Sequence, residues 1–156
     1  MKKMNKKGFT LIELLAIIVI LAIIAVITVP IILNIIDEAK KGAEKNSVIG
    51  YGKAVELAYT QYLFESQTGT GTNSHTVQEL PDDGKGISIV IDNAETATLL
   101  KVDFDGDKVV CAVDDTHKNT ITSGVVSLQN CKVNGGTTTY SYTGGKATTP
   151  SATTGS

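Results

Sequence analysis

From residue 9 to residue 33 the chain is apolar at every position except Thr10, Glu13, Thr28 and Pro30. As a helix, 25 such residues are long enough to cross a bilayer of about 30 Å, so residues 9–34 are predicted to form a spanning helix. After Asn34 the pattern becomes one-sided. Val48, Tyr51, Val55, Tyr59 and Tyr62 recur at helical intervals, while Lys45, Lys53, Glu56 and Glu65 fall mostly elsewhere around the helix. Residues 35–65 therefore read as the amphipathic second half of one long helix, its tyrosine stripe packed on a sheet. Gly42, Gly50 and Gly52 each weaken that half by up to about 1 kcal/mol and read as bends.

The link "SQTGTGTN", residues 66–73, ends the helical period, and alternation with period two follows. Strands are predicted over 87–92, 99–104, 107–114, 125–133 and 137–143, parted by "DGD", "DDTHKNT" and "NGG", which carry hairpin-turn chemistry. The expectation is an α+β fold: a long N-terminal helix packed on an antiparallel sheet of four or five strands spanning residues 66–142. Residues 143–156, rich in Thr, Gly and Ser, show no apolar period and are expected to be a disordered tail.

Charge gives the spanning segment a direction. Lys2, Lys3, Lys6 and Lys7 precede it, whereas Lys40, Lys41 and Lys45 beyond it are mixed with Asp37, Glu38 and Glu44. The positive-inside rule then holds the N-terminus in the cytoplasm and exports the rest. No small-residue cleavage site follows the apolar run, so cutting on the far side is not expected. Without the four leader lysines, ten lysines face sixteen acidic residues, a formal charge of −6, and the chain has no arginine. That balance argues against direct nucleic-acid binding, because phosphate contacts rely on basic surface. Cys111 and Cys131 lie twenty positions apart in the strand-rich exported region. One disulfide is the simplest reading, with two buried free thiols as the alternative. Closing such a loop stabilises by on the order of 3 kcal/mol in the chain-entropy model.

The basic leader, then Gly8, Phe9, Thr10, Leu11, Ile12 and Glu13, then an apolar helix containing Pro30, resembles the N-terminus of type IV prepilins and of the pseudopilins of secretion and competence machines. The resemblance covers about residues 1–60. It implies that a prepilin peptidase removes residues 1–8 by cutting between Gly8 and Phe9 and methylates the new amine of Phe9. It also implies that Glu13 meets the Phe9 amine of a neighbouring copy during assembly, and that Pro30 permits a kink or local melting. Family members often carry a glycine eight residues before that proline, where this chain has Ala22. This stretch is accordingly expected to stay more persistently helical.

Other candidate chemistry is sparse. Asp103, Asp105 and Asp107 alternate as in a calcium loop, with Asp114 at the twelfth position, but Lys108 stands where such loops turn sharply. "DDGKGIS" lacks phosphate-loop spacing, and His75 and His117 are isolated. No nucleophile, base and orienting acid assemble, so neither catalysis nor a cofactor is expected. The expected function is structural: a pilin subunit, first a single-pass precursor in the cytoplasmic membrane, then part of an extracellular fibre for adhesion, motility or biofilm formation. Its expected partners are copies of itself, the prepilin peptidase, the pilus assembly platform and the membrane. The alternatives are a minor pilin or pseudopilin of a secretion or DNA-uptake machine, and a membrane-tethered binding domain that never polymerises.

Overall fold

The computed structural model describes residues 8–68, 85–92, 94–111 and 118–149. The leader lysines, the link beyond residue 68, His75, Asp114, His117 and residues 150–156 lie outside them. The chain divides into two units, Met1–Lys41 and Gly42–Ser156. Helix α1 (Leu11–Thr68) contributes to both.

In the first unit the helix is unbroken, including the stretch from Ala22 to Pro30. Pro30 has no N–H to donate to the carbonyl of Val26, four residues back. Two residues earlier, the Thr28 hydroxyl donates to the carbonyl of Ile24. Every described side chain from residue 8 to residue 41 is exposed, and Leu11, Ile12 and Val26 are each more than 70% exposed. A stretch of this helix is long and apolar enough to cross a membrane.

In the second unit the one-sided pattern does what its spacing predicts. Val48, Tyr51, Val55 and Tyr59 are buried, and Tyr62 packs against them at the margin. They meet a sheet of seven strands: β1 (Gly86–Ile91), β2 (Thr98–Lys101), β3 (Val109–Cys111), β4 (Thr120–Thr122), β5 (Val125–Val133), β6 (Tyr140–Thr143) and β7 (Lys146–Thr148). Their order is β2-β1-β4-β5-β6-β7, with β3 paired to β5. The expectation of four or five antiparallel strands is thus corrected in number and in kind, since β1 and β4 run parallel.

The two strands that alternation missed are three residues long, and each follows or precedes a tight turn. Ser123 and Gly124, both at positive φ, join β4 to β5, and Gly144 and Gly145 join β6 to β7 in the same way. Paired positive φ values are the signature of the two-residue hairpin turn that matches strand twist. Strand β7 therefore replaces part of the expected disordered tail, with Ala147 buried and Thr148 in register with Ser141. Three of the expected strands are shorter than drawn: β2 ends at Lys101, β3 starts at Val109, and β6 starts only at Tyr140.

Strand β5 shows why β4 must lie where it does. One edge of β5 is shared end to end by β4, opposite 125–127, and β3, opposite 131–133. Between them the backbone N–H of Gln129 would be left without a strand partner. The Asn119 side chain, only 1% exposed, closes that gap: its Oδ1 accepts from Gln129 N at 3.1 Å. Its Nδ2 donates to the carbonyls of Cys111 at 3.3 Å and Ser88 at 3.4 Å, so one amide joins β1, β3 and β5. Cys111 and Cys131 face each other across β3 and β5 and form the disulfide.

Helix and sheet are tied by polar contacts at the edges of the stripe. Tyr140 and Tyr142 project inward from β6, and their hydroxyls donate to Glu44 Oε2 and Glu56 Oε1, each at 2.7 Å. The Tyr142 ring lies directly on Gly52, where an added Cβ would stand 2.5 Å from three ring carbons. Gly52 is thus a docking surface and not a bend. The Phe104 ring meets Tyr51 edge-on at 5.7 Å. Asp107 accepts from Ser47 Oγ at 2.6 Å and from Asn134 Nδ2 at 3.1 Å, bringing helix, loop and hairpin together.

Two outcomes follow for the full chain in detergent. Gly52→Ala should lower the thermal midpoint, because overpacking against Tyr142 costs about 1–3 kcal/mol and exceeds the gain of about 1 kcal/mol in helix propensity. Gly42→Ala, where a Cβ meets nothing within 4 Å, should raise it; a raised midpoint for both would show that the Tyr142 contact is loose. The second outcome concerns alkali. Burial, then the hydrogen bond and charge of Glu44 or Glu56, push Tyr140 and Tyr142 up to about 12 from the usual 10. Groups with raised values stabilise fully below pH 10, and that stability is lost as pH climbs through about 12. Tyrosinate absorbance should therefore show a late phase that is smaller in the Tyr140→Phe, Tyr142→Phe double variant, where Tyr59 remains raised by burial.

Candidate processing and assembly site

Gly8, Phe9 and Thr10 precede α1 without regular structure, and Phe9 is 73% exposed. A Cβ built on Gly8 meets nothing within 4 Å. Packing among the described residues thus places no demand for glycine at that position.

Thr10 and Glu13 form a capping box. The Glu13 Oε2 atom accepts from the backbone N of Thr10 at 2.9 Å and from its hydroxyl at 2.8 Å. The backbone N of Glu13 reaches back to Thr10 Oγ1 at 3.4 Å, a long bond, while the backbone carbonyl of Thr10 accepts from Glu13 N and Leu14 N. A helix start leaves four donors without intrahelical partners, and this reciprocal arrangement serves the amides of Thr10 and Glu13. The carboxylate also lies where the helix dipole is positive. The pattern T-x-x-E was present in "TLIE" and is the signal by which this local role could have been read. Both donors fall on Oε2; Oε1 takes none among the described residues.

Of the remaining candidates, Pro30 lies seventeen positions further along the helix and touches neither Thr10 nor Glu13 through any described bond. Cys111 and Cys131 form a disulfide, which settles that reading over the free thiols. Among the described residues no three His, Cys, Asp or Glu side chains come together as a metal site; Asp114, the twelfth position of the calcium pattern, lies outside those residues. Asp107 is instead held by Ser47 and Asn134, which keep its carboxyl below the ordinary range. Glu44, Glu56 and Asn119 were not singled out by the sequence. The first two carry no motif, and the third is one polar residue in a stretch that reads as a turn.

Residues 3–29 match the prokaryotic N-terminal methylation motif, the type IV prepilin-like signal. Compared as a whole with curated proteins and with solved structures, the chain matches none. The matched segment contains Gly8, Phe9, Thr10 and Glu13 but ends one residue before Pro30. With the exposed apolar helix, it fits a membrane-anchored precursor of pilin-like or pseudopilin type.

Thr10→Val keeps the size of the side chain and removes its hydroxyl. Losing an N-cap costs typically about 1 kcal/mol. The amides of residues 11–14 in detergent-solubilised protein should exchange faster, with no change beyond residue 42; unchanged exchange at the helix start would show that the capping box contributes nothing.

Proposed function

We propose that the chain is the structural subunit of a type IV pilus-like filament. In this reading the leader is removed between Gly8 and Phe9, the new amine is methylated, and copies polymerise through the helix. The observation that carries the proposal is the methylation-motif segment leading directly into a helix whose apolar side chains are exposed around its whole circumference. Such a surface needs lipid around it before assembly and other copies of itself afterwards.

Cleavage converts Phe9 into a chain terminus four residues from Glu13. An α-amino group has a reference pKa near 8 and is mostly cationic at neutral pH. Glu13, whose Oε1 takes no donor among the described residues, would accept from the amine of an adjacent copy. A glutamate that carried its charge into an apolar bundle without such a cation would be strongly disfavoured. The head, carrying the sheet and an excess of acidic residues, would form the outer surface of the fibre. Processing by a prepilin peptidase and extrusion by an assembly platform belong to the same proposal.

Surface material sheared from cells tests this directly. The N-terminal peptide should begin at N-methylated Phe9, and Glu13→Ala should leave precursor in the membrane while abolishing sheared polymer. A terminus at Met1, or normal polymer from the Glu13→Ala chain, would overturn the corresponding step. Abundant polymer marks a major subunit, and scarce polymer a minor pilin or pseudopilin.

A further inference from the structure

The turn after β5 holds a side-chain amide in a chemically labile setting. The carbonyl of Val133 accepts from Gly136 N at 2.8 Å, and Asn134 and Gly135 between them stand at φ 50° and 70°. This is the two-residue turn that matches strand twist. The Asn134 side chain reaches from it to the loop before β3: Nδ2 donates to Asp107 Oδ1 and Oδ1 accepts from the backbone N of Lys108, each at 3.1 Å. Ser47 of α1 donates to the other oxygen of Asp107 at 2.6 Å. One amide thus links the hairpin to the loop and, through Asp107, to the helix.

Asparagine can lose its amide nitrogen to attack by the backbone nitrogen of the next residue, and a side chain on that residue hinders the attack. Asn134 is the one asparagine of this chain that precedes glycine. It is exposed, as is Gly135, and a Cβ built on Gly135 would meet nothing within 4 Å, so the described residues put no shield over the attacking nitrogen. Asn119 differs on both counts, being buried and followed by the β-branched Thr120. In the step, the Gly135 nitrogen bonds to Cγ of Asn134, its proton and the Nδ2 amine leave as ammonia, and a five-membered imide remains. Water opens the imide at either carbonyl to give aspartate or isoaspartate. The net change is amide plus water to carboxylate plus ammonium, with no other reactant.

Ring closure swings Cγ onto the following nitrogen, and an amide tied at both Nδ2 and Oδ1 cannot swing without giving up its bonds. The closed tie therefore protects Asn134. A carboxylate at position 134 has no donor for Asp107, whose own carboxyl is kept below the ordinary range by the Ser47 and Asn134 donors. Like charges at hydrogen-bond distance repel. We propose that Asn134 is a site of spontaneous deamidation, restrained by its bonds to Asp107 and Lys108, and that the conversion unties the hairpin from the loop irreversibly. The head would carry a record of its age, whether or not the chain polymerises.

The test holds the full chain in detergent, in warm, mildly alkaline water enriched in heavy oxygen, and follows its asparagine-bearing peptides by mass spectrometry. The peptide with residue 134 should gain one heavy oxygen and yield both aspartate and isoaspartate, while the peptide with Asn119 stays an amide. Asp107→Ala, which removes the acceptor of Nδ2, should speed the conversion about tenfold, equivalent to about 1.4 kcal/mol of lost restraint. Asp107→Asn keeps an acceptor there and should stay near the unaltered rate, which separates lost restraint from general unfolding. Asn134→Asp, imitating one product, should speed amide exchange at Lys108 with the Cys111–Cys131 disulfide intact. An Asn134 as durable as Asn119 would remove the site. Equal rates in the unaltered and Asp107→Ala chains, or equally raised rates in Asp107→Ala and Asp107→Asn, would overturn the restraint, and unchanged exchange at Lys108 would overturn the untying.

Discussion

A helix that is apolar all the way round cannot hide its surface inside its own chain. Between residues 14 and 36 there is no charged side chain and no polar face to turn outward, so this segment is stable only in lipid or among other apolar helices. Much else in the sequence is arranged around that constraint. Polar groups are displaced to its ends: the capping pair Thr10 and Glu13 at one, and Asp37, Glu38, Lys40 and Lys41 at the other. Within it, the threonine at 28 turns its hydroxyl onto the helix backbone, a safe place for a donor where water is excluded.

The same helix then has to hold a folded head, with a single face available for the purpose. A stripe of four buried residues is a narrow base, and its contact with the sheet is reinforced by pairs at its margins: Tyr140 with Glu44, Tyr142 with Glu56, Phe104 with Tyr51, and Ser47 with Asp107. The tyrosine pairs carry the most weight, because each combines a buried ring with a charge-assisted hydrogen bond. Strand β3 is only three residues long and is held to β5 by the disulfide. It follows directly from the loop that bears Phe104 and Asp107. A covalent staple there holds in place a segment too short to be secured by ladder hydrogen bonds.

How much of this was legible depended on whether the signal was periodic or positional. The apolar run and the stripe of Val48, Tyr51, Val55 and Tyr59 repeat over several turns, and the helix came out nearly as drawn. So did β5, although its alternation breaks once, at the irregularity between Leu128 and Cys131 where Asn130 has a positive φ. Strands β4 and β7 have one inward side chain each, Ile121 and Ala147, too few for any period. They exist because their neighbours offer edges, which is tertiary information. Asn119 belongs with them, since its position was a consequence of β3 and β4 sharing one edge of β5. At the candidate site the reverse held: every residue of the processing motif was visible in sequence. Less visible is a local role of the same residues: Thr10 and Glu13 satisfy each other within one chain.

In the proposed filament, that local satisfaction would alter what a contact between Glu13 and a neighbour's amine contributes. A bare carboxylate entering an apolar bundle would have to recover its whole desolvation penalty from one cation. Glu13 brings two donors with it on Oε2, so part of the penalty is already offset within its own chain, and in the proposed filament a neighbour's amine would supply only the remainder. The net gain from correct pairing is then modest, as for most buried ion pairs. The loss from incorrect pairing is large, because a copy held one turn out of register would bury the carboxylate with no cation nearby, at several kcal/mol. In the proposed filament, apolar contact along the helix would therefore supply most of the affinity, and Glu13 would decide which of many similar axial positions is occupied.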